Sequence, residues 1–553
     1  MPMRFGMRTA GPRGVHMRKL RLDRRQLLVS GSVAAGALTL AACGAESGTI
    51  AGSSDDGARP ARGGELTWAV SADPVFMVPF GATLGATREA TEQVYESLLA
   101  WDRDLRIVPA LASRWSTPDE TTFEFTLRDD ARFHDGRAVT ARDVVYSVGL
   151  QRSPPPPGTT DMAVHVPAIA DVRAVDERTV RIEMERPDAR LPGFLAWGRH
   201  SSIVPEGMYD AIDPRTEAIG TGPFRLTEFR QNDRVVFARN DDFRDPQVPG
   251  VDRLTLRVMT DEQGRLAALR AGQIDGCTVS PDIAEVLGAD PSIEVLRGLV
   301  AAHRELQFTI RPGQPKPWHD KRVRQALNHA IDRQDLIDRV YAGNAEWSGI
   351  VPPGYGEWAL DDAELRARLL VHDPERARAL LAGAGFADGF PIELEVAATT
   401  PDLVKSAEIL QQQLGAVGIE LKIRPIELAA FAANNGAGRF DLHLTYRGMR
   451  GDVAGFMSDF DPQQPLYREV WFPAVRDVDP RLGRLIAEGA TTIDESRRRP
   501  IYAEAQRLAL TEALHVPLCN PYKFQAVSKR VSGMYVAYTD FNPGLATALV
   551  RAN

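Results

Sequence analysis

The stretch Phe123–Leu150, FEFTLRDDARFHDGRAVTARDVVYSVGL, combines three local signals without a gap. Apolar and polar residues alternate from Phe123 to Leu127, which predicts a strand with one buried face. Asp135-Gly136 predicts a turn, because glycine tolerates a positive φ and aspartate can accept a hydrogen bond from its own downstream backbone. Thr140 lies three residues before Asp143, a spacing close to that of a capping box, which predicts that a helix begins here.

As a whole, this succession of a strand, an F-H-D-G turn and a T-A-R-D-V-V-Y-S helix closely resembles the signature of family 5 extracellular solute-binding proteins, the peptide- and nickel-type receptors of ABC importers. Further blocks that resemble the same family are spread over most of residues 63–540, namely Gly63–Thr67, Val94–Leu98, Gly220–Phe224 and Val323–Arg333. Within the signature, we expect His134 to be a hydrogen-bonded turn residue and not a catalyst.

Strand and helix patterns alternate along the rest of the chain. Val251–Val258 predicts a strand and Glu262–Arg270 a helix that stops at Gly272, after which the next strand begins. This order indicates an α/β unit with a parallel sheet. Helical spacing of apolar residues also predicts a helix over Arg88–Leu99 and one continuous helical face over Lys321–Tyr341.

The resemblance implies an α/β, periplasmic-binding-protein-like fold with two lobes, a hinge and an extra subdomain in the first lobe. We expect lobe I at residues 63–300, with its subdomain at about 105–200. Lobe II is expected at 301–509, and residues 510–553 should return to lobe I. A chain of 553 residues has enough length for three or four folding units at about 150 residues each. The cleft between two lobes is a preferred place for a small ligand.

Composition excludes several classes of function. The formal net charge is −8 and the isoelectric point is about 5.8, which argues against a general nucleic-acid binder. The three cysteines, Cys43, Cys277 and Cys519, have no metal-ligand spacing, and the sequence contains neither H-E-x-x-H nor G-x-S-x-G. We therefore expect no metal, no cofactor and no catalytic residues. Cys277 and Cys519 could form a disulfide or remain two buried thiols.

The N-terminus has the features of an export signal. A basic region is followed by the sixteen uncharged residues Leu27–Ala42, which as a helix would span about 24 Å and fall short of a hydrocarbon core of about 30 Å. Residues 1–42 are therefore predicted to be a signal peptide, with Met1 or Met17 as its start. The alternative is a buried apolar helix.

Two motifs refine this prediction. Leu40–Cys43 matches the bacterial lipobox, which predicts lipidation of Cys43. Arg24 and Arg25 resemble a twin-arginine export motif, and Sec export is the alternative. Residues 43–62 are rich in small and polar residues and are predicted to be a flexible tether outside the cytoplasm.

The candidate ligand-binding residues also come from the resemblance. In peptide-binding members, an aspartate in the loop after the F-D-L strand pairs with the amine of the ligand, and Asp452 occupies the matching position here. Residues ahead of V-Y-E line the pocket, where Arg88 could pair with a ligand carboxylate. For both, a solvated surface charge is the alternative. The further candidates for the pocket wall are Met77, Phe80, Arg304, Tyr446, Met449 and Trp471.

The resulting prediction is a monomeric, extracytoplasmic, lipid-anchored protein that closes by a hinge on a small solute. An oligopeptide or dipeptide is the expected cargo, which would be delivered unchanged to the permease subunits of an ABC importer. Metal chelates and oligosaccharides are alternative cargoes in this family. A secreted hydrolase and a sensor subunit are the rival functions; turnover of the ligand would identify the first, and the absence of neighbouring permease genes the second.

Overall fold

The computed structural model describes residues 62–79, 85–152, 167–311, 313, 315–448, 450–462, 478–538 and 542–551, without the side chain of Arg199. In this part of the chain the strands are β1 (Glu65–Val70), β2 (Leu99–Trp101), β3 (Ile107–Pro109), β4 (Ala112–Asp119), β5 (Thr122–Leu127), β6 (Ile169–Ala174), β7 (Thr179–Met184), β8 (Phe224–Arg230), β9 (Arg234–Arg239), β10 (Arg253–Val258), β11 (Gly276–Val279), β12 (Ile293–Leu299), β13 (His303–Phe308), β14 (Ala345–Trp347), β15 (Phe390–Ala397), β16 (Ile419–Ile426), β17 (Leu442–Arg447), β18 (His515–Ser528), β19 (Val531–Ser532) and β20 (Leu549–Val550).

The helices in the same part of the chain are α1 (Gly85–Thr91), α2 (Ala141–Arg152), α3 (Leu191–Leu195), α4 (Gly198–Ser201), α5 (Met208–Ala211), α6 (Glu262–Arg270), α7 (Pro281–Leu287), α8 (Lys321–Ala330), α9 (Arg333–Tyr341), α10 (Asp362–Glu364), α11 (Pro374–Gly383), α12 (Pro401–Gly415), α13 (Leu428–Gly436), α14 (Val453–Met457), α15 (Pro480–Thr491), α16 (Glu495–Glu512) and α17 (Gly544–Thr547). Short 3₁₀ turns lie at Pro317–His319, Pro353–Trp358 and Ser458–Phe460, and a π turn lies at Leu365–Leu369.

The main sheet has twelve strands in the order β16-β15-β17-β13-β18-β11-β1-β10-β9-β8, with β12 and β14 also paired to β18. β1 runs parallel to β10 and β11, and β15 runs parallel to β16 and β17. The other pairs of this sheet are antiparallel. Helices such as α6 and α12 connect parallel strands, because a parallel pair needs a crossover connection. The predicted α/β class is therefore confirmed.

A single strand, β18, joins the two parts of this sheet. Its first residues pair with β13 and β14, where Cys519 lies opposite Arg304 and Trp347. Its later residues pair with β11 and β12, where Phe524 lies opposite Val279 and Arg297. Because one strand takes part in both sets of ladder hydrogen bonds, it fixes the spacing between β13 and β11.

The stretch Phe123–Leu150 forms the predicted strand and helix. Along β5 the buried residues alternate with more exposed ones, and β5 lies between β4 and β7 in a separate four-stranded sheet. The backbone amide and the hydroxyl of Thr140 both donate to the carboxylate of Asp143 at 2.8 Å, next to the start of α2. One half of the capping box that the sequence suggested is thus present, because the Asp143 side chain caps the Thr140 amide, whereas the amide of Asp143 donates to the backbone carbonyl of Thr140 and not to its hydroxyl.

In the described part of the chain, four hydrophobic cores pack against these sheets. The largest is built from residues 301–519 together with Trp197, and a second from residues 66–256 and 527–550. A third, built from residues 98–203, lies beside the four-stranded sheet. The fourth packs Phe524 and Ala526 of β18 against residues 266–295. β18 therefore contributes to three of these cores.

His134 ties the F-H-D-G turn to the glycine-rich turn before β8. Its Nδ1 accepts from the amide of Gly220 at 3.4 Å, and its Nε2 lies 3.0 Å from the carbonyl oxygen of Gly222. This pattern requires the neutral imidazole with its proton on Nε2. Burial lowers the pKa of His134 to about 4, which favours the same form. The expectation of a hydrogen-bonded turn histidine agrees with this geometry.

Two helix predictions were wrong in their bounds. The helix expected over Arg88–Leu99 ends at Thr91, because the carbonyl groups of Gln93 and Val94 accept hydrogen bonds from the backbone of Phe224 and Gly222. A tertiary contact there replaces the helical hydrogen bonds.

The continuous helix expected over Lys321–Tyr341 is two helices, α8 and α9. Asp332 adopts an extended conformation and accepts from the amide of Asp335, so it caps a new helix instead of continuing the first.

Both described cysteines, Cys277 and Cys519, are free thiols buried in the sheet. Among the described helices, none is both long and apolar enough to cross a membrane. Within the same residues, no group of three or more histidines, cysteines and acidic residues is arranged to hold a metal ion. The predicted signal peptide and nearly all of the predicted tether lie outside the described residues.

Candidate functional site

A cavity of about 370 Å³ opens where β18 passes from β13 to β11. We call it the β18 cavity, and its described lining consists of Arg88, Thr278, Val279, Val300, Ala302, Arg304, Tyr446, Asn520, Pro521, Tyr522, Lys523 and Phe524. Two further cavities, of about 320 and 280 Å³, lie elsewhere in the described structure. The β18 cavity differs from them in bringing together three residues that the sequence singled out, Arg88, Arg304 and Tyr446.

Elements far apart in the sequence place these three side chains. Arg88 lies on α1, Arg304 is the second residue of β13 and Tyr446 is near the end of β17. In the antiparallel register of β13 and β17, Arg304 lies directly opposite Tyr446. Facing residues of adjacent strands have their side chains on the same side of the sheet. The guanidinium carbon of Arg304 accordingly lies 4.8 Å from the centre of the Tyr446 ring.

A carboxylate behind the cavity fixes the position of Arg304. Nε and Nη2 of Arg304 donate to the same oxygen of Asp402 at 2.9 and 2.7 Å. The hydroxyl of Tyr341 donates to that oxygen as well, at 3.0 Å. Asp402 lies in the first turn of α12, where the helix dipole stabilises a negative charge. Arg304 is therefore held by two elements, β13 and α12, while its side chain still lines the cavity.

The opposite face of the same strands carries a buried ionic network. Glu305 accepts from Nε of Arg447 at 2.8 Å, and His303 and His515 lie 3.1 and 3.2 Å from its carboxylate. The carboxylate of Asp459 pairs with Arg447 from the other side. Burial alone would raise the pKa of Glu305, but the charges of Arg447 and His515 hold it well below its usual range. This network fixes the register that places Arg304 opposite Tyr446.

Asp452, the candidate for the ligand amine, is engaged by the protein itself. It caps α14 by accepting from the amide of Ala454 at 2.7 Å. Its two carboxylate oxygens also accept from Arg498, at 2.9 and 2.6 Å. The neighbouring Gly451 packs so closely on α3 that a Cβ on Gly193 would lie 2.2 Å from its carbonyl oxygen. Asp452 is not part of the described lining of the β18 cavity.

The remaining candidates divide into two groups. Met77 is fully buried in a core, and its carbonyl oxygen accepts from the hydroxyl of Tyr95 at 3.0 Å. The others lie outside the described residues: Phe80, Met449, Trp471, the lipidation candidate Cys43 and the export-motif residues Arg24 and Arg25. Their proposed roles remain predictions.

Sequence reasoning missed the contribution of β18 itself. Asn520, Tyr522 and Lys523 line the cavity from the middle of this strand. The segment NPYKF (residues 520–524) has no simple alternation of apolar and polar residues. Its first two residues pair with β14, and its last three pair with β12. The available signal was the position of this segment within residues 510–553, whose expected return to lobe I implied a crossing between the lobes but not which side chains face a cavity.

The family model that matches this chain and the names of its relatives agree with each other. The family model described as bacterial extracellular solute-binding proteins, family 5 middle, matches residues 106–465. A glutathione-binding protein of Salmonella typhi, GsiB, is 26% identical over 491 residues, which cover 85% of this chain and 92% of that protein. A probable di/tripeptide-binding protein of Pseudomonas aeruginosa is 29% identical over 515 residues, with 87% and 94% covered.

The fold is also that of a solved structure. The periplasmic binding protein DppA from Helicobacter pylori, in complex with the peptide STSA, superposes with a TM-score of 0.74. The match covers 89% of this chain and 99% of that one, at 23% sequence identity. At this identity the likeness shows the fold and not the ligand.

Proposed function

The chain belongs to family 5 of the bacterial extracellular solute-binding proteins, the substrate-binding components of ABC importers, and from this premise we propose that it captures a di- or oligopeptide in the β18 cavity. The observation that carries the proposal is the convergence of Arg88, Arg304 and Tyr446 on one cavity. A guanidinium can hold a peptide carboxylate by paired hydrogen bonds, and a tyrosine ring offers apolar area with a polar edge. The relatives whose names state a peptide or glutathione ligand support this cargo.

Capture would use hinge closure between two lobes. We place lobe I at residues 63–300, with its subdomain at about 105–200, lobe II at 301–509, and the return to lobe I at 510–553. The separate cores of residues 301–519 and residues 66–256 support two lobes, with residues 510–519 packed in the core of lobe II and residues 527–550 in that of lobe I. β18, which joins the two parts of the main sheet, is the strand that would bend or twist on closure. A ligand that contacts Arg88 on one side and Arg304 on the other stabilises only the closed state.

The protein would act from the outer surface of the cell membrane. A lipid on Cys43 would hold the folded part through the tether of residues 43–62, and Arg24 and Arg25 would direct export of the precursor. In this arrangement the closed, loaded protein would meet the permease subunits of its importer by diffusion along the membrane. The ligand would be handed over without chemical change.

The proposal is tested with the mature chain and a library of short peptides. Native mass spectrometry of the purified protein should show a bound ligand with a peptide mass, and prolonged incubation should return the peptides uncleaved. Small-angle scattering should show a smaller radius of gyration with ligand, since closure brings the lobes together.

Two variants sharpen this test. Arg88→Ala should weaken peptide binding at least tenfold, because it removes a cation from the cavity wall. Arg142→Ala, an exposed arginine on α2, should leave binding unchanged. A bound metal chelate or oligosaccharide in place of a peptide would show a different cargo, and cleavage of the peptides would show a hydrolase.

A further inference from the structure

We propose that the peptide held in the β18 cavity carries a net negative charge. This inference rests on the proposed function and adds the chemical class of the ligand. It follows from the charges of the cavity wall, from the partners of the nearby acidic groups and from one buried amide.

The described lining of the β18 cavity contains three cationic side chains and no carboxylate. The cations are Arg88, Arg304 and Lys523, and the other described lining residues are uncharged. The chain as a whole carries a formal charge of −8, so the charge of the cavity lining is opposite in sign to the net charge of the protein. A concave wall of one sign concentrates ligands of the opposite sign, because low-dielectric walls focus the field.

The carboxylates just behind the wall do not cancel this charge. Asp402 pairs with Arg304, and Glu346 accepts from the hydroxyl of Tyr522. A fourth cation, Arg297, lies 3.7 Å from the centre of the Tyr522 ring. Asp402 is matched by Arg304, and Glu346 is outnumbered by Lys523 and Arg297, so these described residues leave an excess of positive charge even without Arg88. Both carboxylates already accept hydrogen bonds from tyrosine hydroxyl groups of the protein, so neither is placed to attract a ligand ammonium group.

The acidic residue expected to receive a ligand amine is engaged elsewhere. Both oxygens of Asp452 accept from Arg498, and one also accepts from the amide of Ala454. Only 13% of the Asp452 side chain is exposed. Moving this carboxylate to a ligand would leave the buried guanidinium of Arg498 without its partner, which is strongly unfavourable. The cationic side chains of a basic peptide therefore find no carboxylate in the described lining of the cavity.

Asn520 supplies the evidence for a peptide backbone. Its side chain is fully buried, and Nδ2 donates to the carbonyl oxygen of Val300 at 2.9 Å, which fixes the orientation of the amide. Its Oδ1 is buried without a hydrogen-bond donor in the described part of the chain. A buried acceptor of this kind is costly unless a donor arrives. Since Asn520 lines the cavity, the N–H of a ligand amide would satisfy it.

The test compares three tripeptides of similar size by isothermal titration calorimetry on the mature chain. We expect Ala-Glu-Glu to bind at least tenfold more tightly than Ala-Gln-Gln, and Ala-Lys-Lys to bind most weakly. Raising the salt concentration from about 0.05 M to about 0.5 M should reduce the preference for the acidic peptide, because screening shortens the reach of the wall charges.

The variant Lys523→Gln removes one wall cation and should reduce the ratio of the two affinities, Ala-Glu-Glu over Ala-Gln-Gln, at least threefold. The matched control is Lys422→Gln, an exposed lysine on the outermost strand β16 that pairs with Glu420, and it should leave the ratio unchanged. Equal binding of the neutral peptide, or tighter binding of the basic one, overturns the inference and leaves the proposed function standing. Binding of none of the three overturns the proposed peptide function and the inference with it.

Discussion

Arg498 donates to both carboxylate oxygens of Asp452, across 46 residues of sequence, and the two side chains are 5% and 13% exposed. An arginine and a carboxylate matched in this way are held in one geometry by two parallel hydrogen bonds. The pair links α16 to the start of α14. Its role in the described structure is thus to hold the loop after β17.

This role predicts the stability of two variants. Asp452→Ala should lower the free energy of unfolding by about 3 kcal/mol, because it leaves a buried guanidinium unpaired. The double variant Asp452→Ala/Arg498→Met should recover most of that loss. Urea denaturation followed by circular dichroism measures both.

The exposed pair of Glu206 and Arg142 provides the control, since Glu206→Ala should change stability by less than about 1 kcal/mol. If Asp452→Ala keeps the stability of the wild type and abolishes peptide binding, then Asp452 is a ligand residue and not a support of the loop.

The glycine-rich turn before β8 gives a second prediction. A Cβ on Gly220 would lie 2.0 Å from the carbonyl oxygen of Val94, and backbone atoms of both segments would have to move. We expect Gly220→Ala to destabilise the protein by about 3 kcal/mol, at the upper end of the usual cost of overpacking. Gly149→Ala is the control, because a Cβ there meets nothing within 4 Å in the middle of α2 and alanine favours helix by up to about 1 kcal/mol. Equal melting temperatures for the two variants would contradict the close approach.

The parts of this fold that follow from local pattern could be predicted, and those that follow from distant contacts could not. The alternation in β5 and the capping of α2 by Thr140 and Asp143 depend on neighbours in sequence. The end of α1 depends on hydrogen bonds from a turn more than a hundred residues away, and no local pattern contains that information.

The same distinction applies to the candidate site. Arg88, Arg304 and Tyr446 were identified because family resemblance aligns positions, and the structure brings them to one cavity. Lys523 and Asn520 were missed because the face that a strand residue occupies depends on its pairing, and β18 changes partners along its length. The engagement of Asp452 by Arg498 is likewise a tertiary contact that the loop motif does not encode.

His134 predicts how stability depends on pH. Its folded pKa of about 4 lies below the value of about 6.5 for an unfolded histidine, so the unfolded chain binds more protons between these values. The stabilisation is complete above about pH 6.5 and is lost as the pH falls towards 4, by on the order of 2–3 kcal/mol.

The variant His134→Gln should remove this share of the pH dependence, because glutamine does not titrate. The glutamine side chain can still donate to the carbonyl of Gly222. The hydrogen bond that Nδ1 of His134 accepts from the amide of Gly220 is lost, which costs about 1 kcal/mol at every pH. Urea denaturation at pH 4.5 and pH 7.5 measures the difference. A His134→Gln protein with an unchanged pH dependence would contradict the neutral, doubly bonded imidazole.

The two buried thiols predict a pattern of chemical labelling. Burial raises the pKa of Cys277 to about 11 and that of Cys519 to about 12, and iodoacetamide reacts with the thiolate. In the mature chain without Cys43, we expect almost no labelling at pH 8 under native conditions and two labels per chain in denaturant. Mass spectrometry counts the labels. A chain that stays unlabelled in denaturant until a reductant is added would contain a disulfide between the two cysteines.

The predicted lipid on Cys43 decides how the protein is held at the cell surface. With a diacylated cysteine, the full chain should sediment with membranes and be released by detergent, since each buried methylene of an acyl chain contributes about 0.8 kcal/mol. Cys43→Ser removes the acceptor and should move the protein to the soluble extracytoplasmic fraction, provided that the signal peptide is still cleaved. Cys277→Ser, the same substitution at a buried position, should leave the protein with the membranes. If the Cys43→Ser protein still needs detergent for release, then the apolar segment of residues 27–42 stays attached and is itself the anchor. That result would remove lipidation from the proposal and leave the peptide-binding function untouched.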